Sequence, residues 1–463
     1  MVSPLLNSSV DVVRLILAYL SRSDLCALCL TNPALRELAE PILYTNIQLT
    51  WRKSQTPPII PLLQRILHNP KLANCVRTIV LDGDDIQHKH GFYDFHSYKP
   101  ESPKIAVSET DLNGLVDCIA RTDVPYSDLW IQELHAGTVD AFAALLLSRL
   151  PGLRRLQLGE NFTRKSRFIG MMLRSALCEE RKDNHLPLFK YLQDVAFAYF
   201  EIGARMREYT DIRNTTDILT LFYLPSVKHI TAMIDNPATF TWPTAQPPNA
   251  SSLESLDLTL IREGNLGQLL SATSRLKKLR WEWYYREDLK DLVTTTIDHD
   301  QIAADLFHVR ETLTDLSIRG EVCPWIGDTR APIMEVRGNF QAVRDLDKLR
   351  TLCVPLPILL GFSPSDSDKR LEDVLPKNIE YLTINDDFYD REDYEWMDLH
   401  LMEALESWWL GDRRKSTPHL KKFHLFLGII DFGEWDPEMR QRLRDLGVQA
   451  GIQVEITKKN GEM

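Results

Sequence analysis

"LPGLRRLQL", residues 150–158, carries the spacing on which the reading of this chain turns. Leu153, Leu156 and Leu158 follow the order apolar-x-x-apolar-x-apolar. The last two lie two positions apart and share one face of a strand, while Leu153 sits in the turn that leads into it. Pro151 breaks any helix that comes before and sets the approach. The same spacing recurs as VRTIVL at 76, IQELHA at 131, LQDVAF at 192, VKHITA at 227 and LESLDL at 253. It continues as LKKLRW at 276, LTDLSI at 313, LRTLCV at 349, IEYLTI at 379 and LKKFHL at 420.

Eleven starts, 22 to 55 residues apart, alternate with helix-like stretches such as AFAALLLSRL (141–150), HDQIAADLFHVRETL (299–313) and MDLHLMEALESWWL (397–410). Strand then helix, repeated, is the pattern of an α/β solenoid. Energetics favour stacking. Three buried apolar side chains yield roughly 5 to 9 kcal/mol, whereas ordering about 25 residues costs roughly 1.5 kcal/mol each. One repeat alone is therefore unfolded, and only neighbours on both sides complete its core. The tail PEMRQRLRDLGVQAGIQVEIT reads as a helix stopped at Gly447 and a closing strand from Ile452 to Ile456.

The first 45 residues carry a different period. Val13, Ile16, Leu17 and Leu20 make one apolar stripe of a helix, and Val12, Leu15, Ile16 and Tyr19 make a second. Two stripes need two partners. Ser21 and Asp24 have the spacing of a capping box for a second helix bearing Leu25, Leu28 and Cys29. Asn32 and Pro33 start a third, with Leu35, Leu38 and Ala39 on its buried side and Pro41 as its end. Three helices of this size bury too little surface to stand alone, so the module either packs on the rest of the chain or docks a partner.

Composition excludes several classes. Hydrophobic residues make up 44% and charged residues 26%, as in folded globular chains, so disorder is not indicated. A net charge of -11 argues against general binding to nucleic acid. No apolar run approaches the roughly 20 residues of a membrane helix, and Asp11 and Arg14 interrupt the first one, so neither secretion nor a membrane span is expected. Seven irregularly spaced cysteines read as reduced thiols, and the expected localisation is cytoplasmic or nuclear.

Catalytic signatures are absent: there is no G-x-S-x-G, G-x-x-x-x-G-K, H-E-x-x-H or glycine-rich dinucleotide turn. No enzyme activity, cofactor or metal is expected. DGDDIQHKHGFYDFH (82–96) holds metal-ligating residue types without a ligand spacing and reads as a polar loop. NDDFYDREDYEWMD (385–398) places acids before an apolar helix, where they suit its dipole. Cys26 and Cys29 lie within an apolar helix and read as buried structure.

Residues 5–50, LLNSSVDVVRLILAYLSRSDLCALCLTNPALRELAEPILYTNIQLT, resemble an F-box, with Ile16, Leu17 and Leu20, then Asp24 and Leu25, and the close ALRELAEPILY. Ser8 and Ser9 stand where that family has Leu-Pro, and Asp11 where it has Glu. The whole chain resembles fungal F-box proteins with irregular leucine-rich repeats. The resemblance implies an F-box-like helical module over 1–50 and a repeat domain with loop insertions over 51–463. It further implies a non-catalytic substrate receptor of a cullin-RING ubiquitin ligase. A Skp-type adaptor would bind Val12, Leu15, Ile16, Tyr19 and Leu25, and the repeats would hold a protein target. The alternative is a repeat scaffold that does not bind the adaptor. Strand residues that alternate with the buried pair face outward, and Arg155, Gln157, Lys278, Arg280, Lys422 and His424 are the candidate target contacts.

Overall fold

A computed structural model describes residues 9–51, 58–83, 104–112, 114–159, 162, 167–179, 185–197, 215–286, 292–323, 332–338, 341–365, 369–389, 391–411, 413–428 and 435–458. It divides into two compact units, Met1–Ile230 with Trp242–Pro247, and Thr231–Thr241 with Pro248–Met463.

The first unit opens with α1 (Val10–Ala18), α2 (Arg22–Thr31) and α3 (Pro33–Leu43). Each start is capped by a side chain. Ser9 Oγ accepts from the Val12 N–H, Ser21 Oγ from the Asp24 N–H at 3.2 Å, and Asn32 Oδ1 from the Ala34 N–H at 2.8 Å. Val13, Leu17, Leu25, Leu35 and Ala39 form a small core, with Leu20, Leu28, Cys29, Leu38, Ile42 and Leu43 packed around it. Pro41 does not end α3, which continues to Leu43. A proline this close to a C-terminus breaks little of the ladder, and the Tyr44 N–H still reaches the Glu40 carbonyl at 3.1 Å.

The repeat strands begin before residue 51. β1 (Asn46–Trp51) pairs in parallel with β2 (Thr78–Gly83), so residues 46–50 belong to the sheet and not to the helical module. Ile47, Leu49 and Trp51 alternate inward. β3 (Arg155–Leu158) and β4 (Asp194–Phe197) follow in the same sense. The chain passes from the first unit into the second within β5 (His229–Met233). In the second unit β6 (Ser255–Thr259), β7 (Lys278–Arg286), β8 (Asp315–Cys323), β9 (Thr351–Pro355), β10 (Tyr381–Asn385), β11 (Lys422–Leu427) and β12 (Gln453–Lys458) pair in parallel and in chain order.

One backbone device repeats through both units. The carbonyl of the residue just before a strand accepts two successive N–H groups of the following rung. Thr45 takes Arg77 and Thr78, Arg77 takes Arg154 and Arg155, and Glu254 takes Lys277 and Lys278, all at 2.8–3.0 Å. This forked bond fixes the register, and with it the row in which each outward side chain stands.

Three further sequence expectations change. IQELHA at 131 is not a strand: it lies in the helix Ser127–His135, which buries Trp130 and Leu134 on one face. Gly447 does not stop the last helix, which runs Pro437–Ala450 and ends at Gly451 in the left-handed region (φ 71°). A Cβ on Gly447 would lie 2.3 Å from Val454 Cγ2, so glycine there admits β12 against the helix. The acidic run after β10 serves the helix dipole only in part: Asp398 stands in the first turn of the helix Asp398–Leu410, while the first acids of the run are spent on neighbouring strands. Asp386 accepts from the Gly428 N–H at 2.7 Å, and Asp387 accepts from the Gly320 N–H at 2.9 Å and from the Arg319 guanidinium at 2.8 and 3.1 Å.

Candidate interaction surfaces

The core of the helical module consumes one side of α1 and leaves the other bare. Val13 and Leu17 are buried, whereas Val12, Leu15, Ile16 and Tyr19 are exposed, Leu15 by 64% and Tyr19 by 90%. Four apolar side chains on one short helix face make a ridge of the kind that marks an interaction site. Leu25 does not belong to it. At 5% exposure it sits in the module core with Val13 and Leu17, because the face of α2 that carries it turns inward. Val10, at one end of α1, and Leu30, near the end of α2, are exposed as well and fall outside the two stripes legible in the sequence. Leu30 lies off the apolar stripe, which is the signal that could have found it.

The module is seated on the repeats without a linker. Leu43 ends α3, and β1 begins at Asn46. Glu40 on α3 accepts from Arg65 Nε at 3.1 Å and Nη2 at 2.5 Å, which joins α3 to the helix Ile59–His68. The ridge therefore has a fixed position relative to the first strands.

Arg155, Gln157, Lys278, Arg280, Lys422 and His424 all stand on the outward row of their strands. They are divided between the two units. Arg155 and Gln157 belong to the first unit. In the second, register runs from Lys278 through Asp315, Thr351 and Tyr381 to Lys422, four rungs or roughly 19 Å. Three of these side chains already have partners. Lys422 pairs with Glu455, Arg280 lies 3.9 Å from Asp257, and His424 Nε2 meets Thr457 Oγ1 at 2.8 Å. Lys278 has no carboxylate partner among the described residues. The outward Tyr381, 44% exposed, stands between the two lysine rungs.

Electrostatics differ along the row. Burial, with Glu321 close by, pushes the Glu282 carboxyl up to about 7. Its register partner Arg319 is held by Asp387 and gives it little relief. Hydrogen bonds from Lys421 and Arg350 hold Glu380 below the usual carboxylate range. Burial lowers the basicity of His424. No group of three His, Cys, Asp or Glu is placed to hold a metal ion among the described residues, and residues 84–96 of the histidine-rich segment lie outside them. No helix among the described residues is long and apolar enough to cross a membrane.

The forked register, one strand per repeat and a helix or loop return between strands are joined by a direct match: a family profile described as a leucine-rich repeat domain covers residues 51–434. The chain belongs to the leucine-rich repeat family. Such repeats serve as protein-interaction scaffolds and are typically non-catalytic, in keeping with outward rows built of mixed polar side chains. The leucine-rich repeat match starts beyond the three helices and does not speak for them. No curated protein matches this chain.

Proposed function

We propose that this leucine-rich repeat chain is a non-catalytic substrate receptor of a cullin-RING ubiquitin ligase, with the helical module on a Skp-type adaptor and the repeats on a protein target. The observation that carries the reading is the bare apolar ridge of α1, in which Leu15 and Tyr19 are exposed on a module whose core is already complete without them. Exposing such side chains to water costs roughly 25 cal/mol per Å² of apolar area, which a partner's apolar surface would recover. The F-box resemblance of residues 5–50 supplies the chemistry of that partner.

The mechanism is proximity. The module abuts β1 and is braced by Glu40 and Arg65, so a target held on the repeats of the first unit would keep a set distance from the adaptor. Lysines of that target then meet the loaded conjugating enzyme at raised effective concentration, and no residue of this chain need titrate or attack. Purified full-length protein is expected to co-elute with a Skp-type adaptor, and Leu15→Asp is expected to abolish this while the circular dichroism stays unchanged. Ser8 and Ser9 at the Leu-Pro position favour a second reading, a protein-binding scaffold without an adaptor. Absence of co-elution from the wild type would select it.

A further inference from the structure

We infer that the foot of the sheet in the first unit docks an acidic segment of the target. This rests on the reading of the repeats as the target-holding part of the chain, and it names the chemistry of what they hold. The residue before each strand occupies an equivalent rung, because its carbonyl accepts the same two N–H groups from the next. In the second unit this row reads Glu254, Lys277, Thr314, Arg350, Glu380 and Lys421, and every cation in it has a carboxylate on a neighbouring rung. Lys277 meets Glu254 at 3.3 Å, Lys421 meets Glu380 at 2.5 Å, and Arg350 pairs with Glu380 from the other side.

In the first unit the same row reads Thr45, Arg77, Arg154, Gln193 and Lys228, with no acid in it. Arg77 spends its guanidinium on neutral carbonyls, those of Asn74 at 2.7 Å and Gly152 at 3.1 Å, and it has no carboxylate partner among the described residues. Arg154, Lys228 and the adjoining Arg155 are exposed and have no carboxylate partner among the described residues. Asp194, in register with Arg155, is bonded to His229 instead.

The row from Arg77 to Lys228 crosses three rungs, or roughly 15 Å. Tyr191, 57% exposed, stands two residues before Gln193 at the same foot. Arginine beside an exposed tyrosine is the composition of binding hot spots. An extended peptide brings successive same-side groups about 7 Å apart, so carboxylates or phosphates along it can meet these cations in turn. A local basic row on a chain of net charge -11 suits a short acidic peptide better than a long polyanion, which the remaining surface repels. Peptide carboxylate and phosphoserine share this chemistry.

Fluorescence anisotropy on the full chain tests the proposal with three probes: an oligoglutamate peptide, its phosphoserine counterpart and single-stranded oligothymidylate. One or both peptides are expected to bind, and the stronger identifies the source of the anion. Arg154→Glu with Arg155→Glu is expected to weaken that peptide roughly tenfold or more, Arg154→Lys with Arg155→Lys to retain most binding, and Lys277→Glu in the compensated row to change nothing. No binding of either peptide, equal loss with Lys277→Glu, or tighter binding of oligothymidylate would overturn it. Adaptor co-elution on the same variants is expected to stay intact, so a failure there counts against the receptor reading and leaves the peptide result standing.

Discussion

Leu15 and Leu17 lie two positions apart on α1 and face opposite ways: Leu17 is fully buried in the module core, and Leu15 is 64% exposed. One residue type thus does two jobs on one helix. Leu17→Ala is expected to cost about 3 kcal/mol through the cavity it opens, and Leu15→Ala to stay within about 0.5 kcal/mol. Hydrogen exchange of the α1 to α3 amides measures both. Similar losses at the two positions would mean that the ridge is covered by the chain itself.

The Glu282 carboxyl, raised to about 7 chiefly by burial and next by Glu321, makes stability depend on pH. Its folded value lies above its unfolded one, near 4.5, so the folded state holds the extra proton between those limits. Stability is therefore lost as pH rises from about 4.5 to about 7 and is level above that. Asp217 and Asp305, both raised to about 6 by burial, act in the same direction, and His299, lowered to about 4 by burial, acts against them. Glu282→Gln isolates the one group: the gain of the variant over wild type should grow across that window to as much as about 3 kcal/mol. Urea unfolding at several pH values reads it, and a constant difference would contradict the assignment.

Asp387 is almost fully buried, and Arg319 is 29% exposed, with two hydrogen bonds joining them. Asp387→Ala removes both bonds and the acceptor of the Gly320 N–H. A loss of about 2 to 4 kcal/mol is expected, because an unpaired, largely enclosed guanidinium remains. Arg319→Met with Asp387→Leu should recover part of this in a double-mutant cycle on thermal unfolding.

Phe388 is held at φ 76° with its ring edge-on to Trp283 and Phe362, at centroid distances of 5.9 and 5.6 Å. A Cβ on Gly320 would lie 2.0 Å from that ring. Gly320→Ala is expected to destabilise by about 1 to 3 kcal/mol through overpacking and Phe388→Ala by about 3 to 5 through a cavity. The combined variant should lose less than the sum, as thermal denaturation would show. Strict additivity would place the ring elsewhere.

The repeat strands were legible because a leucine in the turn and two on the strand leave a mark that survives poor repeat conservation of length. IQELHA carried that mark by chance: Trp130 and Leu134 serve a helical face, and six residues are too few to separate the two periods. β1 escaped because Ile47, Leu49 and Trp51 alternate without the leading turn residue. The ridge was legible as a second stripe on α1, but which side of α2 faces inward depends on packing, and Leu25 fell on the buried side. Charge matching was hidden altogether. Lys277 and Glu254 are 23 residues apart in the chain, and Lys421 and Glu380 are 41 apart, so neighbouring cations read alike until the register is known.

The affinity of the full-length chain for a purified Skp-type adaptor, measured by titration calorimetry on wild type and on Leu15→Asp, tests the receptor reading most directly. Wild type is expected to form a saturable complex, weakened by about a hundredfold or more in the variant with an unchanged melting temperature. Equal affinities, or no heat of binding from the wild type, would contradict it.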